Sequence, residues 1–270
     1  MTWLEFDFMH RALLAALIVG LVAPAIGVFL VQRRLALLGD GMGHVALTGV
    51  GLAFLTGTAP VPTALAVAII GAIVIEVLRA RSRSAADVIL ALVFYGGIAG
   101  GVLLTYLAGN KAASSLNQYL FGAITTVSGS DIGWLIAAAV LLLVALAVFG
   151  KEMFAVCLDA EVARTQGIRT EAISALITVL AAVTVVIGMR TVGLLLVSAI
   201  MIVPVATAQQ ISRSFRQTAV IGCAIGLVCA VGGVIASYYL DAPSGATIVL
   251  LTLAAFILAM PLGWIIRRPA

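Results

Sequence analysis

The sequence predicts an all-α fold, a polytopic membrane bundle of eight or nine transmembrane helices, and three observations carry that expectation. Hydrophobic residues make up 63% of the chain and charged residues only 10%, against about a quarter charged in an average soluble domain. Uncharged runs long enough to cross a hydrocarbon core, about 20 residues at about 1.5 Å each, recur from one end to the other. The runs are continuously apolar, whereas barrel strands would alternate over about ten residues, so helices are the spanning elements.

The first span, near 12–31, follows almost no basic residues and leads straight into Arg33 and Arg34, which marks an uncleaved helix and not a signal peptide. The second, near 42–57, is short and opens with "LLGDGMGHVALTGVGLAF" (37–54). The third and fourth fall near 61–78 and 88–108, the latter containing "FYGGIAGG" (94–101). There Gly96 stacks over Gly100 and Gly97 over Gly101, a spacing that lets helices approach closely in lipid. Gly222 and Gly226 in "GCAIG" repeat it. A polar, uncharged stretch at 112–130 reads as interfacial or re-entrant on the outer side. Further spans lie near 132–150, 172–189, 191–211, 217–239 and 245–266. Arg190 alone separates two of these, so one of the nine is a candidate for a broken or re-entrant segment.

With the N-terminus outside, all of the 15 basic residues except Arg11, Lys111 and Arg190 fall on the cytoplasmic side, as the positive-inside rule requires. The net charge of +4 is therefore a mark of topology. No basic cluster interleaved with aromatics points to nucleic acid, and membrane lipid is the expected surround. Cys157, Cys223 and Cys229 have no CxxC spacing and read as packing residues. Six positions apart on a helix, Cys223 and Cys229 face opposite ways. No linker or soluble module interrupts the spans, so residues 1–270 are expected to form one transmembrane domain with a cytoplasmic loop at 151–171.

Three features carry chemistry. Asp40 and His44 lie one turn apart on one helix face, where carboxylate oxygen and imidazole nitrogen suit a divalent first-row metal. A bland alternative makes Asp40 a helix N-cap and His44 a hydrogen-bonded core residue. Two ligands are too few for a tight site, and a homodimer with the pair near its two-fold axis would supply four. In "KEMFAVCLDAEVARTQGIRTE" (151–171), Asp159 is placed to cap a short helix over 160–166 that Gly167 ends. In "RTVGLLLVSAIMIVPVATAQQIS" (190–212), Pro204 sits inside an apolar run and kinks it. No GxxxxGK[ST] phosphate loop occurs, so ATP hydrolysis cannot be located on this chain.

The segments "LLGDGMGHVALTGVGLAF", "LDAEVARTQG" and "VGLLLVSAIMIVPVATA" resemble the membrane permease of zinc/manganese ABC importers, over about residues 10–265. That resemblance implies a homodimer of non-enzymatic permease chains in the cytoplasmic membrane of a prokaryote. It implies an extracytoplasmic metal-binding protein that delivers the ion and two separate ATPase subunits that drive it inward. The transported cargo would be Zn2+ or Mn2+, with no permanently bound cofactor. Asp40 and His44 match residues lining the family's metal path. Asp159, Glu161, Ala163 and Gly167 fall on its coupling-helix pattern, and Pro204 matches the third motif. "YYLDAPSGATIVL" (238–250) and "YLFG" (119–122) lean toward the zinc branch. Two other classes compete: a permease for a metal chelate of siderophore or cobalamin type, and an intramembrane acid/base enzyme in which Glu76 or Asp87 would serve Asp40 as second carboxylate.

Overall fold

A computed structural model describes residues 7–81, 86–109, 118–120, 122 and 129–266. Ten helices are laid out along them: α1 Asp7–Gln32, α2 Leu38–Thr56, α3 Pro60–Arg81, α4 Ala86–Leu107, α5 Gly129–Leu158, α6 Ala160–Thr165, α7 Thr170–Thr191, α8 Leu194–Ile211, α9 Phe215–Leu240 and α10 Ser244–Ile266. All but α6 and α8 are long and apolar enough to cross a membrane, which gives eight candidate spans. The stretch 112–130 lies outside the described residues apart from 118–120, 122, 129 and 130.

Three boundaries differ from those the apolar runs suggest, each for a local reason. The second span starts earlier because α1 ends in a tight turn. Arg34 takes a left-handed conformation (φ 58), its N–H bonding the Val31 carbonyl at 3.0 Å while that of Leu35 bonds Leu30 at 2.8 Å. The chain is thereby returned to helix by Leu38, and Asp40 and His44 both lie inside α2. The second difference is the loop at 151–171, which is largely helical: α5 runs on past Lys151 and Glu152 because Met153, Val156 and Cys157 keep its buried face continuous. The third is the broken segment. After Arg190 the backbone leaves α7 and pivots at Gly193 (φ 99), and α8 covers only 18 residues.

α2 is the least apolar of the eight spans, and its surroundings make that tolerable. It packs against α3, α4, α7 and α8, so its glycines and polar groups meet protein and not lipid. The small-residue face of α4 is what brings that helix so close. A Cβ added at Gly97 would stand 2.7 Å from the His44 carbonyl carbon, and one at Gly101 would stand 2.9 Å from the Leu47 side chain. α5, by contrast, exposes Val140, Leu141, Val144 and Val148 along its length.

Candidate metal site

His44 sits beside Gly97, halfway along α4, and the next residue, Val45, meets Gly71 halfway along α3. His44 is therefore at mid-height of two full-length helices, well inside the bundle, with Asp40 one turn nearer the start of α2. His44 is 9% exposed. Its ring meets the edge of Phe94 with centroids 4.6 Å apart, and its Nδ1 is buried with no hydrogen-bond partner among the described residues. Buried polar nitrogens are nearly always paired, so an imidazole left open in mid-bundle calls for a ligand or another explanation.

Asp40, half-buried in the first turn of α2, does not cap the helix. The N-cap position belongs to Leu37, which makes no side-chain capping bond. The Asp40 carboxylate instead reaches across to α8, where the Ser198 hydroxyl donates a hydrogen bond to Oδ1. Neither half of the bland alternative describes this geometry. Among the described residues no third His, Cys, Asp or Glu joins the pair to complete a metal-binding group. Ser198 was hidden in the sequence inside the apolar frame of the third motif; the only signal was a lone hydroxyl in "LLLVSAIMIV".

The third motif builds the wall facing Asp40. Met201, fully buried, packs where α2 and α1 both lack a side chain: a Cβ at Gly39 would stand 2.5 Å from its Cε, and a Cβ at Gly27 would stand 1.8 Å from its carbonyl oxygen. Pro204 is buried just under one turn further on, within a helix that continues to Ile211, and its missing N–H leaves the Ile200 carbonyl without an intrahelical donor. No described contact joins Pro204 to Asp40 or His44.

At the end of the bundle that holds the α5–α7 connection, α6 is one and a half turns of helix with both ends defined. Asp159 accepts hydrogen bonds from the N–H groups of Glu161 (2.8 Å) and Val162 (3.1 Å). At the other end, Gly167 takes φ +83, its N–H bonds the Arg164 carbonyl at 3.0 Å, and that of Ile168 bonds Ala163 at 3.1 Å, a Schellman close. Ala163 is the buried residue of α6 and Glu161 is exposed. A cavity of about 420 Å³ lies beside α6, lined by Glu161, Arg164 and Glu171 together with Arg33, Glu76 and Arg79.

The residues around Glu76 form a network of paired groups, in which Arg33 Nη1 is buried without a hydrogen-bond partner among the described residues. Arg79 pairs with Glu76 at 3.2 Å and Arg33 approaches it at 4.0 Å. The Thr178 hydroxyl donates to Glu76 at 3.1 Å, and Arg33 donates to the Ser174 hydroxyl at 2.7 Å. Burial pushes the pKa of Arg33 down and the Glu76 charge opposes the shift. Glu76 is thus engaged by α1, α3 and α7 and unavailable as a free base, while Asp87 lies exposed in the first turn of α4. Far from this network, Arg190 pairs with Asp131 at 3.0 Å and stands 6.0 Å over the ring of Tyr119. Burial raises the Tyr119 pKa, and the Arg190 charge pulls it back.

The family model described as the ABC 3 transport family matches residues 5–263. Among curated proteins, the chain is 33% identical over 95% of its length to the Haemophilus influenzae "Probable iron transport system membrane protein", covering 94% of that protein. It is 28% identical over 94% of its length to the Streptococcus gordonii "Manganese import system permease protein ScaB", covering 91% of it. It is 26% identical over 94% of its length to the H. influenzae "High-affinity zinc uptake system membrane protein ZnuB", covering 97% of it. Among solved structures, it superposes with a TM-score of 0.85 on a chain of "PsaBC from Streptococcus pneumoniae in complex with Fab". That match has 28% identity and covers 95% of this chain and 92% of the other.

Proposed function

The chain belongs to the ABC 3 transport family, and from that premise we propose that it is the membrane-spanning subunit of an ATP-driven importer of divalent metal ions, zinc foremost and manganese next. It works in the cytoplasmic membrane of a prokaryote. The observation that carries the reading is the open pair at mid-bundle: an imidazole with an unpartnered buried nitrogen one turn from a carboxylate that another helix holds in place.

Mixed oxygen and nitrogen donors suit first-row cations, and a dry, enclosed site strengthens their hold. Two ligands per chain hold an ion only briefly, which fits a passage and not a store. A second copy across a two-fold axis would add its own Asp40 and His44. The ion arrives from an extracytoplasmic binding protein, steps onto the pair and leaves inward. ATP is bound and hydrolysed on separate ATPase subunits, because this chain has no phosphate loop. Their closure pushes α6, whose fixed ends make it a rigid lever, toward the helices that carry Arg33, Glu76 and Ser174. Asp159, Glu161, Ala163 and Gly167 serve that coupling, and Pro204 leaves α8 with a weakened turn at which it can bend. The iron, manganese and zinc names among its relatives support a transition metal as cargo.

The test is uptake of radioactive zinc and manganese in cells lacking their own importers and supplied with this chain, its ATPase and its binding protein. Wild type takes up metal, and Asp40→Ala and His44→Ala each abolish uptake while the protein still reaches the membrane. Uptake that survives both substitutions removes the pair from the pathway. The ratio of the two ions at low concentration decides between zinc and manganese.

A further inference from the structure

Most buried hydroxyls in this bundle are returned to their own helix. Thr105 donates to the Gly101 carbonyl at 2.7 Å, Thr184 to Leu180 at 2.8 Å and Thr207 to Val203 at 2.8 Å, each four residues back. Ser198 could do the same with Leu194, and does not. Among the described residues its only bond crosses to α2 and ends on Asp40 Oδ1. The backbone that carries it has no room to retreat. A Cβ at Gly39 would stand 3.3 Å from Ser198 Cβ, and Met201, one turn on, is locked between Gly39 and Gly27.

We propose that Ser198 is a positioning and selectivity residue for the metal pathway, which by engaging one lone pair of Oδ1 and fixing the carboxylate plane leaves Oδ2 the unencumbered oxygen of Asp40 and disfavours bidentate binding. The inference rests on the reading of Asp40 and His44 as ligands of the ion. One carboxylate oxygen and one imidazole suit ions that bind few ligands at about 2.0–2.2 Å. Calcium takes six to eight oxygens at about 2.3–2.6 Å, often with both oxygens of a carboxylate. In a compartment where calcium outnumbers trace metals, a carboxylate freed to bind with both oxygens would be open to it. Ser198 makes that option less favourable, and it also fixes the direction of the other oxygen, the kind of outer support whose loss typically weakens metal binding about 10–100-fold.

The experiment is zinc titration of the purified full-length chain in lipid nanodiscs, with and without millimolar calcium, for wild type, Ser198→Ala, Ser198→Thr, Ser198→Cys and Asp40→Ala. Ser198→Ala is expected to bind zinc about 10–100-fold more weakly and to lose zinc when calcium is added, whereas wild type keeps it. Ser198→Thr, which retains the hydroxyl, restores both properties. Ser198→Cys, similar in size but a weak donor, follows the alanine variant and decides the matter where Ser198→Ala fails to fold. If both donor-poor variants bind zinc within two-fold of wild type and still exclude calcium, Ser198 is a packing contact and the proposal fails. Loss of binding in Asp40→Ala in the same series leaves the pathway reading standing in that case. Binding that also survives Asp40→Ala overturns both.

Discussion

Two largely buried polar clusters share this bundle, one around Glu76 and one around Asp40 and His44. Around Glu76, opposite charges meet: two arginines flank one carboxylate, the Thr178 hydroxyl donates to it and Ser174 accepts from Arg33, with the three charged side chains between 12% and 16% exposed, although Arg33 Nη1 is buried without a hydrogen-bond partner among the described residues. Around His44, the arrangement differs. Asp40 has one donor, and the imidazole presents a nitrogen with none. Burying a charge is costly unless it is paired and hydrogen-bonded. A carboxylate flanked by two guanidinium groups is therefore read as structure, and one that has only a hydroxyl donor, with an imidazole one turn away, is read as waiting for an ion. The contrast teaches that neither polarity nor a single unpartnered nitrogen, which both clusters have, marks the site; what does is a carboxylate with a hydroxyl and no described arginine or lysine upon it.

The largest effects should separate the two clusters. Glu76→Ala strands Arg33 and Arg79 in a buried setting, and removing one partner of such a group typically costs about 3–5 kcal/mol; a large fall in thermal stability in detergent is expected. Asp40→Asn keeps an oxygen for Ser198 and should leave stability within about 1 kcal/mol, as removing a lightly compensated charge does, while uptake is lost. If Asp40→Asn destabilised the protein as strongly as Glu76→Ala, the open pair would be structural after all.

The next effect sharpens how the site is held. Gly97→Ala puts a methyl group 2.7 Å from the His44 carbonyl carbon, and overpacking of this kind costs about 1–3 kcal/mol. The backbone carrying His44 must shift, so uptake should fall further than stability does. Gly96→Ala meets nothing within 4 Å and should leave both unchanged within error. Equal behaviour of the two neighbours would show that the α2–α4 approach does not matter.

A smaller effect belongs to α6. Asp159→Ala removes the acceptor of two backbone N–H groups, worth about 1 kcal/mol at a helix N-terminus. Because α6 lies far from Asp40 in the proposed mechanism, zinc binding should be unchanged while ATP-driven uptake falls, and Asp159→Ser should recover most of it. Weakened zinc binding in Asp159→Ala would contradict the division between lever and site.

How much of this was legible in the sequence depends on how far each cause reaches along the chain. The bundle was legible, because a run of apolar residues declares its own solvent. So were the ends of α6, where Asp159 and Gly167 act on residues two to four positions away. Asp40 and His44 were legible as a pair through their four-residue spacing. Their depth was not, since mid-height is set by Gly97 and Gly71 on other helices. Nor was Ser198, whose partner lies 158 positions away in the chain, or the tie between Glu76 and Thr178, 102 apart. The end of α5 was misplaced at Lys151 because charge was taken as the end of a helix, when it marks only the end of an apolar stretch and Met153, Val156 and Cys157 still pack inward.

The smallest expected effect closes the comparison by holding the chemistry constant and changing burial. Arg164 and Glu171 form an ion pair at 3.4 Å and line the same cavity as Arg79 and Glu76, whose distance is 3.2 Å. The side chains of the first pair are 58% and 77% exposed, those of the second 16% and 12%. Exposed pairs gain little from Coulomb attraction in water and are screened by salt, so Glu171→Ala should cost no more than about 0.2–1 kcal/mol, less at high salt. Glu76→Ala should cost several times that, with little dependence on salt. A thermal melt of both variants at low and high salt checks this directly. If the two substitutions behaved alike, burial would not be what distinguishes the balanced cluster, and the inference from the unbalanced one would lose its physical ground.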